Sequence, residues 1–150
     1  MKAVLQRVSK AEITINGKEI RRSGKGLVVL LGIGTSDTEQ DADWLIKKIT
    51  LMRIFNDDKG KMNLSVSDIN GSILLVSQFT LMASVKKGNR PSFDPAAEPD
   101  YAEKLYNYFL TELKKVPDIK TESGEFGADM KIALVNEGPV TIIIDSRNRV

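Results

Sequence analysis

A chain of 150 residues, 41% apolar and 28% charged, is long enough to bury a core without cross-links and too evenly mixed to be disordered. Its net charge of +2 does not by itself announce a nucleic-acid partner. With no cysteine and no histidine, disulfides, Ser-His-Asp and Cys-His triads, and zinc sites with His or Cys ligands are excluded; a carboxylate-only magnesium site stays open, but no metal and no cofactor is expected.

The N-terminal Met1-Lys2-Ala3-Val4 enters strand-like alternation at once, so no signal peptide is read and the cytosol is the expected location. Ala3 to Val8 and Ala11 to Ile15 are predicted as two short strands, and Asn16-Gly17 turns the second into a hairpin through Lys18 to Arg21. Gly26 to Ile33 is unbroken apolar sequence, far too short for a membrane span and best placed as a central strand buried on both faces. Ser36-Asp37-Thr38-Glu39 has capping-box spacing and predicts a helix of about fifteen residues, with Ala42, Leu45, Ile46, Ile49 and Met52 on its core face and Trp44 off that stripe. Arg53 to Asn56 is predicted extended, and Asp57-Asp58-Lys59-Gly60-Lys61 reads as a polar turn because it lacks calcium-loop spacing. Ser72 to Phe79 predicts another strand. Tyr101 to Lys115 predicts a second helix with Ala102, Leu105, Tyr106, Phe109 and Leu113 facing inward. Met130 to Val135 and Val140 to Ile144 predict two last strands, broken at Asn136-Glu137-Gly138-Pro139. No linker or repeat divides the chain, so residues 1–150 are expected to form a single domain. The early hairpin and segregated helices favour an α+β fold with a largely antiparallel or mixed sheet over a regular βαβ repeat. No complete Gly-x-Gly-x-x-Gly or P-loop pattern is present.

The distribution of charge is more informative than its sum. Seven Lys or Arg residues (Lys2, Arg7, Lys10, Lys18, Arg21, Arg22 and Lys25) stand against Glu12 and Glu19 in the first 25 residues, and Lys86-Lys87-Gly88-Asn89-Arg90 is a second basic cluster. Either is a solvated surface or a phosphate-facing patch.

Two segments carry candidate chemistry. Ser77-Gln78-Phe79-Thr80-Leu81 ends an apolar strand in three hydrogen-bonding side chains. It is either a strand terminus that satisfies its own backbone or a site. Ser77 and Thr80 lack a sequence-local lysine, so an oxyanion site made of backbone N–H groups suits the available residues better than an activated hydroxyl. Asn136-Glu137-Gly138-Pro139-Val140-Thr141 is a turn on its face, and sequence alone leaves the Gly138-Pro139 isomer open.

These two segments are similar to the two signatures of the D-aminoacyl-tRNA deacylase family. Further matches are Leu5 to Val8, Gly60 to Asn63, Gly88 to Phe93 and Gly124 to Ala128 in the same order. The resemblance runs along nearly the full length. It implies a twisted, barrel-like sheet with two main helices, and an RNA-dependent hydrolase of the carboxylic ester joining a D-amino acid to the terminal adenosine of tRNA. Mischarged glycine would also be removed, because chirality would be judged by excluding an L side chain. The resemblance further implies a homodimer with active sites shared across the interface and no membrane partner. Ser77, Gln78, Phe79 and Thr80 would be catalytic, with amides around Gln78 and Phe79 polarising the ester and the tRNA 2′-hydroxyl assisting. A Gly138-cis-Pro139 motif held by Arg7 would enter the partner's pocket, and Phe126, Gly127 and Met130 would line the adenine site. Two alternatives stand beside this reading: a non-catalytic RNA-binding module, and a small-ester hydrolase with a lysine-activated Ser77 or Thr80.

Overall fold

The computed structural model describes residues 1–149. In chain order it contains β1 (Lys2–Ile15), β2 (Glu19–Ser23), β3 (Gly26–Gly32), α1 (Glu39–Leu51), β4 (Phe55–Asn56), β5 (Met62–Leu64) and β6 (Ser72–Ser77). A 3-10 turn (Phe79–Met82), α2 (Pro99–Lys114), β7 (Lys120–Ser123) and β8 (Met130–Asp145) follow. β1 organises the sheet. It pairs antiparallel with β8 along its length, with β3 over its first half and with β2 over its second. β3 then pairs parallel with β6, and β6 parallel with β7. At the far end of this path Arg21 of β2 donates to the Ser123 carbonyl of β7 at 2.7 Å, so the mixed sheet nearly closes on itself. The architecture is the expected α+β one, with two helices against a barrel-like sheet.

Several boundaries differ from the sequence expectation, each for a local reason. The two N-terminal strands are one. Polar Ser9-Lys10 does not end the strand, because Ser9 is the extra residue of a bulge between the pairs Val8↔Asn136 and Lys10↔Val135. The last two strands are also one. Across from Gln6↔Thr141 and Val8↔Asn136, a single residue of β1, Arg7, faces four of β8, Glu137 to Val140. Gly138-Pro139 is therefore a bulge within a long strand rather than a turn between two. α1 starts at Glu39, and its cap is shifted two residues from the predicted box: the Asp41 carboxylate accepts from the Thr38 N–H at 2.9 Å and its hydroxyl at 3.1 Å. β6 ends at Ser77, so Phe79 belongs to the 3-10 turn. β5 and β7 are short and were not visible as strands in the sequence.

The hairpin turns as its sequence demands, with Asn16 and Gly17 at φ +50° and +68° and Lys18 N–H donating to the Ile15 carbonyl at 3.0 Å. Asp57 Oδ1 accepts the Lys59 and Lys61 amides, both at 2.9 Å, so the acidic pair's segment is a polar turn. β3 is buried on both faces. Leu27, Val29 and Leu31 join Leu45, Ile49, Leu105, Tyr106 and Phe109 under the helices, while Val28 packs with Val8, Ile13, Leu74 and Val76 on the other side. Trp44, off the core stripe, lies beneath the Arg149 guanidinium at 4.5 Å and near Lys48. Among the described residues no helix is long and apolar enough to cross a membrane.

A buried polar network ties the helix entry to the sheet. The Met1 ammonium lies 2.5 Å from Asp37 Oδ1 and donates to Ser146 Oγ, Gly34 N–H donates to Asp37 Oδ2 at 2.7 Å, and Arg147 reaches both Asp37 and Asp41. Asp37→Ala removes the ammonium's counter-charge, leaving it only the Ser146 hydroxyl, and takes the acceptor from the Gly34 amide. It is expected to cost about 3–5 kcal/mol, read as a lowered urea midpoint. Burial alone would raise the Asp41 pKa, yet hydrogen bonds from Thr38, Ser146 and Arg147 outweigh it and hold the carboxyl below its usual value. Its contribution to stability is therefore present at neutral pH and lost as pH falls through that lowered value.

Candidate active site

Where β6 ends, the chain must leave the sheet over β3, and Gly32 makes this possible. A Cβ there would sit 2.9 Å from Leu81 Cβ and 3.0 Å from the Gln78 carbonyl, so only glycine lets the 3-10 turn fold back this closely. Gly32→Ala is expected to displace the turn and lower kcat/KM about 10- to 100-fold with the fold retained, measured against the melting temperature.

The turn forms one wall of a cavity of about 600 Å³, within the size range of small-molecule sites. Ser77, Gln78 and Phe79 line one side, and Phe126, Gly127 and Met130 line another. Residues far apart in sequence thus meet at one site. Phe126 and Met130 also pack against the two core clusters, so the core and pocket-lining roles coincide in the same side chains. Phe79, 59% exposed, meets Phe93 edge-on with centroids 5.1 Å apart, giving the mouth an aromatic rim. Phe93, Ala97, Glu98 and Asp129 were not anticipated as lining residues. Phe93 alone had a signal, since it closes the matched segment Gly88 to Phe93.

The hydrogen bonds at this turn decide what chemistry it offers. The Gln78 N–H is committed to the Leu31 carbonyl at 2.7 Å, extending the β3–β6 ladder by one residue. Phe79 and Thr80 are the first residues of the 3-10 turn, and among the described residues their N–H groups have no backbone acceptor. Of the two, Phe79 lines the cavity, so its N–H is the donor free to meet a developing negative charge there. Thr80 is not a lining residue. Its hydroxyl has one side-chain partner among the described residues, the Gln78 amide Nε2, which has no capacity to accept its proton.

Arg7, Gly138 and Pro139 form a separate cluster and do not line this cavity. The Gly138-Pro139 peptide is cis, and Gly138 has φ +121°. Arg7 is 8% exposed; its Nε donates to the Glu137 carbonyl at 3.1 Å and its Nη1 to the Ile54 carbonyl at 2.7 Å. A Cβ on Gly138 would stand 2.8 Å from Arg7 Nη2, so the guanidinium is packed against the motif itself. Both ends of the bulge are fastened by side chains. Gln6 Oε1 accepts from Asn136 Nδ2 at 2.6 Å and from the Thr141 hydroxyl, and Asn136 Oδ1 accepts the Val140 N–H at 3.3 Å. Glu137, Gly138 and Pro139 are exposed.

The sequence model of the family described as D-Tyr-tRNA(Tyr) deacylase matches residues 4–145. A protein of Thermosipho melanesiensis named D-aminoacyl-tRNA deacylase is 54% identical over 147 residues, covering 98% of each chain. One of Akkermansia muciniphila with the same name is 55% identical over 149 residues, covering 99% of each. Among solved structures, one named c-Myc DNA Unwinding Element Binding Protein superposes with a TM-score of 0.89 at 44% identity, covering 97% of this chain and 98% of its own. A probable eukaryotic D-amino acid tRNA deacylase shares the fold, with a TM-score of 0.82 at 20% identity over 95% of this chain and 97% of its own. On the match across nearly the whole chain, it belongs to the D-Tyr-tRNA(Tyr) deacylase family.

Proposed function

We propose that this chain hydrolyses the ester between a D-amino acid and the terminal adenosine of tRNA, releasing free D-amino acid and tRNA. The observation that carries the reading is the cavity. It joins the free Phe79 amide at one wall to an apolar floor at Phe126, Gly127 and Met130 suited to a flat base. An ester carbonyl held against this amide would gain a stronger hydrogen bond as its oxygen becomes an anion, the interaction that lowers an acyl-transfer barrier most. The proton transfers fall to the substrate's neighbouring 2′-hydroxyl and water, since Ser77 and Thr80 have no base beside them. Ser77, Gln78, Phe79 and Thr80 thus shape and polarise the site.

Gly138 and Pro139 are assigned to choosing the substrate. They are exposed on β8 and lie outside their own chain's cavity, so their carbonyls would serve a second subunit's pocket, in a homodimer with two shared sites. Rigid carbonyls there would clash with an L side chain while admitting D side chains of many kinds, and also glycine, which has none. The cytoplasm, where charged tRNA is found, is the assigned location. Size-exclusion chromatography with light scattering is expected to give twice the chain mass; a monomer that is active would remove the cross-subunit assignment.

Matched D- and L-aminoacyl-tRNAs, followed by ester loss, test the central reading. Rapid release from D- and glycyl-tRNA with sparing of L-aminoacyl-tRNA is expected. Equal loss of both enantiomers would defeat the chiral assignment, and stability of all three esters would leave an RNA-binding module.

A further inference from the structure

Resting on the deacylase reading, we propose that the loop 84–92 is a phosphate clamp for the single-stranded 3′ end of tRNA where it enters the cavity. The structure separates the two basic clusters that charge alone could not. In the N-terminal cluster the three arginines are committed: Arg7 is buried against carbonyls, Arg21 is paired with Glu19 and the Ser123 carbonyl, and Arg22 is paired with Glu12, while Lys10, Lys18 and Lys25 are exposed but none of them borders the cavity. In the second, Lys86, Lys87 and Arg90 are all exposed. Among the described residues none of the three has an ion-pair partner, although the carboxylates of Asp94 and Glu98 follow closely in the chain. The seven residues 85–91 contain three cations and no acid.

The loop is fixed to the mouth of the site at its base. Ser84 and Ser92 exchange both backbone hydrogen bonds, at 2.8 and 3.0 Å, closing the loop as an antiparallel bridge. The 3-10 turn that carries the free amides ends two residues before Ser84, and Phe93, directly after Ser92, lines the cavity and meets Phe79. Past Phe93, Ala97 N–H donates to the Ile33 carbonyl at 3.0 Å and Thr35 N–H to the Pro95 carbonyl at 3.2 Å, anchoring the segment to β3's end. A cavity of about 600 Å³ has room for a terminal nucleoside and its aminoacyl group, not for the nucleotides before them. Those must leave across the rim, past a loop whose three cations have no ion-pair partner among the described residues, and phosphates within a Debye length of such charges, about 8–10 Å at ordinary salt, are attracted with little screening. The chain's small net charge is then no obstacle, because a local field governs local binding.

The test compares wild type with the triple variant Lys86→Ala/Lys87→Ala/Arg90→Ala on two substrates: D-tyrosyl-tRNA, and D-tyrosyl-adenosine, which has no phosphate. On the tRNA the variant is expected to lose about 10- to 100-fold in kcat/KM at low salt, mostly through KM. Its log–log salt slope should be shallower by about two, from roughly 0.7 per single-strand phosphate released. On the nucleoside ester the two proteins should agree within about twofold, and the charge-keeping variant Lys86→Arg/Lys87→Arg/Arg90→Lys should restore the tRNA rate. Equal losses on both substrates, or none on tRNA, would overturn the clamp. Filter binding of uncharged tRNA is measured in parallel. If wild type cleaves neither ester the deacylase reading fails, whereas equal tRNA binding by wild type and triple variant overturns the clamp in either case.

Discussion

A tRNA whose terminal adenosine lacks the 2′-hydroxyl is expected to be deacylated about 10²–10⁴-fold more slowly than the natural ester, the range that a positioned proton-transfer group contributes. The expectation follows from what the site does and does not contain. The chain has no histidine. Thr80's hydroxyl is bonded to the Gln78 amide, and Thr80 lies off the cavity wall, so neither its chemistry nor its position suits a nucleophile. The Phe79 amide can stabilise an oxyanion, but an amide has no proton to give and take at neutral pH. Proton transfer is then left to the substrate and water. The corollary is that Thr80→Ala should retain activity within about tenfold, since only the side chain is removed and the backbone donor remains. Single-turnover rates on the natural and 2′-deoxy substrates decide the matter. Full activity on the deoxy substrate, or complete loss in Thr80→Ala with the fold intact, would point instead to a covalent threonine.

The reach of the sequence differed between fold and site for identifiable reasons. Periodicity located what burial controls: the core stripes of α1 and α2 and the doubly buried β3 are where Leu45, Ile49, Phe109 and Val29 recur as predicted. It failed where pairing continues through an irregular register. Ser9 and the Glu137 to Val140 segment interrupt the side-chain alternation without interrupting the strands, because a bulge disturbs local spacing and leaves the ladder on either side intact. The site showed the same division. The Ser77 to Thr80 segment stood out by composition, but which amide was free could not be read from it. That depended on β3, whose Leu31 carbonyl takes the Gln78 N–H and whose Gly32 lets the turn approach. Phe93 meets Phe79 through a loop closed by a backbone bridge, and no spacing rule connects the two. The carbonyl partners of Arg7 likewise come from residues 47 and 130 positions away.

Arg7→Met is expected to act on two separable properties, stability and substrate choice. The guanidinium is almost wholly buried and donates to the Ile54 and Glu137 carbonyls, so its removal strands the buried Ile54 acceptor and frees the Glu137 carbonyl, at an expected cost of about 2–5 kcal/mol. It also stands against Gly138 opposite a four-residue bulge, where little else fixes the backbone: the Gln6, Asn136 and Thr141 side chains hold the two ends, and Arg7 supports the middle. Without it the Gly138 and Pro139 carbonyls would gain freedom. A filter that works by rigid exclusion loses selectivity when it softens, even if the catalytic turn is untouched. The preference for D- over L-tyrosyl-tRNA is therefore expected to fall by about tenfold or more, mainly because the L substrate gains, a misplacement effect of the size seen for shifts near 1 Å. Arg7→Lys, which keeps the charge but has no planar fork to reach both carbonyls, should fall between. Gly138→Ala acts on the same point from the other side, since φ +121° and a Cβ 2.8 Å from Arg7 Nη2 both oppose any side chain. A loss of stability in Arg7→Met with the enantiomer ratio unchanged would confine the residue to holding the sheet together, and the selection of substrate would have to be sought elsewhere on the chain.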